Sequence, residues 1–137
     1  MAEIAENPDL AVDATIIDDL VAANHILAQH GVLDAWGHVS IRHPGKPDRY
    51  LLSRARAPAL VASSDILEFD LDSNPVDVRG RAMFLERFIH GSVYRARPDV
   101  NAVVHSHSPT VIPFSVTCKS RSNTPSQKRL ICLAAPD

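Results

Sequence analysis

Apolar residues recur at helical spacing near the start of the chain, at Ile16, Leu20, Ala23 and Leu27, with Ile17, Val21 and Ala28 beside them. Positions three and four apart share one face of an α-helix, so this spacing predicts a helix over 14–30. Asp13 or Thr15 supplies a capping oxygen, Asp18 and Asp19 suit the first turn, and Gly31 offers a stop. From Asp34 the period changes to two: Val39 and Ile41 alternate with His38, Ser40 and Arg42, the pattern of a half-buried strand. Pro44, Gly45, Pro47 and Asp48 punctuate a turn, and 50–53 returns as a hairpin partner.

Further on, 66–70 reads as a short strand, 72–75 as a turn, and Val76 with Val78 as another brief strand. Residues 79–95 read as a second helix with Phe84, Leu85, Phe88, Ile89 and Val93 on its apolar side. Pro98 stops it, because proline disfavours helical geometry in the preceding residue. Strands are predicted over 101–107 and 111–117. This order describes a mixed α/β domain in which helices cover a sheet of antiparallel-looking strands. Residues 1–12 read as a loose leader and 13–117 as the domain. Residues 118–137 are polar, basic and aperiodic up to a short apolar stretch at 130–135. They read as a disordered end, a foreign end or a brief docking segment.

Composition narrows the function classes. A length of 137 residues fits one modest domain, and 45% apolar with 22% charged residues excludes wholesale disorder. The formal net charge of −2 gives no electrostatic case for nucleic acid or an anionic membrane. No apolar run approaches the ~20 residues of a spanning helix. The acidic first residues lack the order of a signal peptide. Cys118 and Cys132 are too few for a disulfide scaffold, so a reduced, cytoplasmic chain is expected. Both cysteines, and two of the three lysines (Lys119 and Lys128), fall in the last 20 residues, which sets that end apart.

Candidate chemistry centres on His105-Ser106-His107. In a strand, residues i and i+2 share a face about 6.5–7 Å apart, so both imidazoles can converge on one divalent ion. The bland alternative is two polar residues on a solvated face. The following Ser108-Pro109 loop favours a site. A catalytic zinc usually takes three protein ligands. Glu86 and His90, one turn apart on the predicted second helix, are the nearest further candidates. Glu86 is either an exposed helix residue or a general acid/base. His38, Ser40 and Arg42 form a polar strand face on which Arg42 suits a substrate carboxylate. Ser53 leads into Arg54 and Arg56, a second cationic cluster or simply solvated charge.

The run from Glu86 through His90, Tyr94, Arg97-Pro98-Asp99-Val100, Ala102-Val103-Val104-His105-Ser106-His107 to Pro109 resembles the signature of the class II aldolase/adducin family. Gly37-His38-Val39-Ser40-Ile41-Arg42 is similar to that family's Gly-Asn-(Ile/Val)-Ser-x-Arg element. The resemblance spans 14–117. It implies an α/β fold with a mixed, mainly antiparallel central sheet and flanking helices, incomplete at its C-terminus. It implies that His105 and His107 are two of three metal-binding histidines, with zinc the first expectation and manganese or cobalt the others. Glu86 then corresponds to the acid/base of a carbon–carbon lyase. The metal polarises substrate oxygens as a Lewis acid and stabilises an enediolate. It further implies a small-molecule substrate and a homo-oligomer, commonly a tetramer.

Departures from the pattern refine this. Sugar-phosphate aldolases of the family carry small hydroxyl residues before the glutamate and a Thr-Gly element in the earlier loop. Here those places hold Phe84-Leu85 and Ser53-Arg54-Ala55-Arg56. With His38 in place of asparagine, the chain is more similar to members acting on carboxylated, aromatic substrates, decarboxylases included. The substrate-binding candidates are His38, Ser40, Arg42 and Ser53. No histidine follows His107, and after Thr117 the family-like sequence gives way to the atypical end. A truncation is therefore expected. A non-catalytic adducin-like binding or assembly domain, or an inactive fragment, stands as the alternative to a lyase.

Overall fold

The computed structural model describes residues 12–78, 80–109, 113 and 129–134. Helix α1, Ala14–Gln29, begins at Asp13, whose carboxylate accepts the Thr15 N–H at 3.0 Å. It ends at His30, and Gly31 follows at φ +68°, a left-handed conformation that costs glycine little. The expected stop is therefore the actual one.

Five strands form one sheet: β1 (His38–Arg42), β2 (Arg49–Ser53), β3 (Ile66–Asp70), β4 (Val100–Ser106) and β5 (Arg129–Ala134). Their spatial order is β3-β2-β1-β4-β5. The β1–β2, β2–β3 and β1–β4 pairs are antiparallel and β4–β5 is parallel. The sheet is thus mixed and mainly antiparallel, as the resemblance implies. Period-two alternation divides the core between its faces. Val39, Leu51, Ile66 and Val104 pack with Ile17 and Leu20 of α1. Tyr50, Leu52, Phe69 and Val103 pack with Tyr94 of helix α2, Arg87–Ala96. Both polar side chains that matter below, His38 and Ser40, alternate onto this second face.

The second helix is shorter than its predicted 79–95. Gly80 sits at φ +72°, and the Ala55 N–H donates to the Ala82 carbonyl at 2.9 Å. Ala82 is thereby tied to the segment after β2, where an intrahelical partner would be required for helix. Glu86 becomes the residue that caps α2. In place of the predicted Val76/Val78 strand there is an isolated bridge between Phe69 and Pro75. The predicted strand over 111–117 lies outside the described residues. Within 118–137, residues 129–134 form β5, so the apolar stretch of the atypical end is strand. Among the described residues no helix is long and apolar enough to cross a membrane.

Candidate functional site

The site is built where β1, β4, the cap of α2 and the turn before β1 meet. Antiparallel register places His38 opposite His105 and Ser40 opposite Val103. The two imidazoles stack at 4.9 Å between centroids. Both are buried. Glu86, half exposed, brings Oε2 to 3.7 Å from His38 Nε2. Ligand atoms of His38, Glu86 and His105 all lie within 4.8 Å of one another. His107 follows the last residue of β4, and its Nε2 is 3.0 Å from His105 Nε2.

Asp34 was not singled out by its residue type or spacing, yet it orients His107. Its carboxylate lies 3.3 Å from His107 Nδ1 and accepts the N–H groups of Trp36 at 2.9 Å and Gly37 at 2.7 Å. Burial alone would raise the Asp34 pKa, but these two N–H donors and His107 bring it below the ordinary value. A carboxylate on Nδ1 holds that nitrogen protonated and leaves Nε2 as a lone pair, the usual support for a metal-binding histidine. In the sequence, only its place in the turn before β1 hints at Asp34.

The donor set suits a divalent cation. Two nitrogens about 2.0–2.1 Å from a tetrahedral ion stand about 3.3 Å apart, close to what His105 and His107 provide. His38 Nε2 and His105 Nδ1 are buried without a hydrogen-bond partner. Buried polar atoms are nearly always paired, so the orphaned His38 Nε2, which faces Glu86, marks a place for a ligand.

His90 does not face the cluster directly. From α2 its Nε2 lies 2.7 Å from His38 Nδ1 and its Nδ1 2.6 Å from Ser40 Oγ, which lies 2.8 Å from the Tyr94 hydroxyl. Burial, then the neighbouring histidines, push the pKa of His38 down to about 2. Burial, then His105, push that of His90 down to about 3. His105 is lowered too, by burial and then by His107. All three are neutral imidazoles at physiological pH. Gly91 allows this approach: a Cβ there would meet the Leu71 carbonyl oxygen at 2.7 Å.

Other candidates fall elsewhere. Arg42 spends its guanidinium on backbone carbonyls, those of Val100 at 2.9 Å, Pro47 at 2.6 Å, Tyr94 at 2.9 Å and Arg97 at 3.1 Å. Ser53 is buried on β2 and alternates with Leu52 onto the α1 face, away from His38. Arg54 and Arg56 pair with Asp65 at 2.5 and 3.1 Å. Beside Glu86 opens a cavity of about 500 Å³ whose lining includes Trp36, Met83, Phe84, Leu85 and Arg56. Its mainly apolar wall with one acid and one base matches the usual make-up of a small-molecule site.

Comparisons with known proteins identify relatives of this chain. Residues 18–134 match the Class II Aldolase and Adducin N-terminal domain. The chain is similar to decarboxylase tropJ of Talaromyces stipitatus, 44% identical over 99 residues, which are 71% of this chain and 37% of that protein. It is also similar to 3,4-dihydroxyphthalate decarboxylase of Arthrobacter keyseri, 37% identical over 103 residues, 68% of this chain and 40% of the other. Among solved structures, L-fuculose 1-phosphate aldolase from Glaciozyma antarctica superposes with a TM-score of 0.65 at 29% identity, over 74% of this chain and 43% of that one. The chain spans less than half the length of these relatives.

Proposed function

This chain belongs to the class II aldolase and adducin family, and on that premise we propose that it carries the metal-binding half of a carbon–carbon lyase acting on carboxylated aromatic substrates. Decarboxylation is the favoured reaction. One observation carries this: two histidine nitrogens 3.0 Å apart stand with a further buried imidazole and with Glu86, which also lines an apolar cavity.

His105 and His107 would hold the metal through Nε2, with Asp34 steadying His107. The metal, zinc first and manganese or cobalt as alternatives, would supply Lewis-acid polarisation of a substrate oxygen. Phe84 and Trp36 would receive an aromatic ring, and Phe84-Leu85 takes the place where a phosphate-binding member would offer hydroxyls. Glu86, half in solvent, can exchange protons with water and deliver one at Oε2. In a decarboxylation the electrons of the broken bond stay on the ring carbon. That carbon takes the proton from Glu86 in place of the departing carbon dioxide. The decarboxylase relatives support this class over the sugar-phosphate aldolases. The exposed Trp36, Leu85 and Phe88 support a homo-oligomer around the cavity mouth. We place the protein in the cytoplasm.

Metal content of the purified full chain, with and without His105→Ala, tests the reading. Stoichiometric metal that disappears in the variant is the expected result. A native chain without metal overturns it and leaves an adducin-like binding domain or an inactive fragment.

A further inference from the structure

Behind the candidate site, α2 and β1 share one unbroken line of hydrogen bonds. It runs from the Tyr94 hydroxyl to Ser40 Oγ at 2.8 Å, to His90 Nδ1 at 2.6 Å, and from His90 Nε2 to His38 Nδ1 at 2.7 Å. None of the four residues is more than 1% exposed. With both rings fully buried and no acid on the line, each imidazole carries one ring proton, and the line has two polarities. In one, Tyr94 donates to Ser40, Ser40 to His90 Nδ1 and His90 Nε2–H to His38 Nδ1, so the one ring proton of His38 sits on Nε2. In the other every proton is reversed, and His38 presents a bare Nε2.

The two ends of the line select between them. Ser40 Oγ is the hydroxyl's hydrogen-bond partner among the described residues. Reversal would leave one buried hydroxyl proton, on Tyr94 or on Ser40, without an acceptor on the line, and an unmade buried hydrogen bond is costly. At the other end, His38 Nε2 faces Glu86 Oε2 at 3.7 Å. A carboxylate there attracts an N–H and repels a lone pair. Both ends favour the same polarity.

We propose that His38 is a hydrogen-bond donor to the substrate, its Nε2–H fixed by the line Tyr94–Ser40–His90, and not a third metal ligand. The identity of its acceptor rests on the lyase reading above: an anionic carboxylate or phenolate oxygen of an aromatic acid entering past Phe84, whose ring centroid is 4.3 Å from that of His38. A neutral imidazole suits this task, because it donates strongly while keeping its proton. A donor already aimed before substrate arrives needs no reorganisation. His90, Ser40 and Tyr94 are positioning residues that act through His38.

Long-range 1H–15N correlations across the imidazole rings of the metal-free, 15N-labelled full chain read this directly. Nε2 of His38 is expected to be protonated and Nδ1 bare, and Ser40→Ala, which removes the donor to His90 Nδ1, is expected to raise the Nδ1–H form. His90→Phe, which removes the donor to His38 Nδ1, serves the same purpose if the serine variant does not fold. A native His38 protonated at Nδ1 overturns the proposal, as does a tautomer population unmoved by both variants. Dialysis against zinc separates donor from ligand: His38→Gln is expected to retain the native zinc content and His105→Gln to lose it. Zinc lost on His38→Gln overturns the donor assignment. Phthalate, as a probe of the anionic oxygen, is expected to bind about tenfold more weakly to His38→Ala and to recover in part with His38→Gln, which restores an N–H. Equal phthalate affinity in all three overturns the substrate contact. If the native chain takes up no zinc, the metal reading fails while the tautomer spectrum still decides the role of His38.

Discussion

His38 on β1 and His105 on β4 occupy directly opposed positions of an antiparallel pair, their rings stacked 4.9 Å apart and inclined by 23°. Sheet register, rather than a flexible loop, therefore sets the spacing of two nitrogen groups at the site. A slip of one residue would turn His38 into the α1 core and Val39 into the site, so the same pairing specifies core and chemistry.

The support from Asp34 to His107 has a measurable consequence. Asp34→Asn removes the charge that holds His107 Nδ1 protonated and is expected to weaken metal binding about 10–100-fold. Competition against a chelator measures it. Unchanged affinity would show that His107 needs no such orientation.

At Gly91 the helix backbone meets the chain after β3. Gly91→Ala places a methyl group 2.7 Å from the Leu71 carbonyl oxygen, within an unyielding backbone contact. The expected loss is about 1–3 kcal/mol in urea unfolding, with α2 displaced and the His90–His38 contact broken. Native stability in this variant would mean that α2 can shift without penalty.

Arg42 has one guanidinium and four carbonyl partners, and it also lies 4.7 Å over the Tyr94 ring. Lysine cannot reproduce that fork. Arg42→Lys is expected to cost about 1.5–3 kcal/mol of stability and to leave the affinity for aromatic acids unchanged. Intact stability with lost ligand binding would restore Arg42 as a carboxylate clamp.

Acid stability turns on Asp65. Burial raises its pKa, but Arg54, the Ala62 N–H and Arg56 outweigh it and hold the buried carboxyl below its ordinary value. The folded value is thus lower than the unfolded one of about 3.9, and the unfolded chain binds this proton first. The stability it contributes is complete above the unfolded pKa and is lost as pH falls through the folded one. Asp65→Asn is expected to unfold about 1–3 kcal/mol more easily at neutral pH and to show a shallower loss toward about pH 3. Parallel acid limbs for variant and native chain would contradict this.

Much of this was legible from residue patterns. Helix α1 and strand β1 follow from spacing, because each has one face in a core and one period to display, and β2 to β4, buried on both faces, follow from short apolar runs bounded by turn residues. The start of helix α2 did not, since the apolar Phe84 and Leu85 fit a helical pattern although the chain there is held by Ala55 and broken at Gly80. His105, His107 and Glu86 stood out by type and by family pattern. The roles of Asp34, His90 and Tyr94 did not, because they depend on contacts between residues far apart in sequence, such as 34 with 107 and 40 with 94. Arg42 showed the reverse: a charge that reads as available for substrate is consumed by carbonyls that only the fold brings near.

The parallel strand β5 alters the standing of β4. With β1 on one side and β5 on the other, the strand that carries His105 has hydrogen-bonding neighbours along both edges. Take β5 away and β4 becomes a border, with unpaired amides and carbonyls along one edge open to any passing strand. The six residues from Arg129 to Ala134, with Leu133 paired directly to His105, thereby close the edge that β4 would otherwise present, so the strand that carries the candidate ligand depends on a segment more than twenty residues further along the chain.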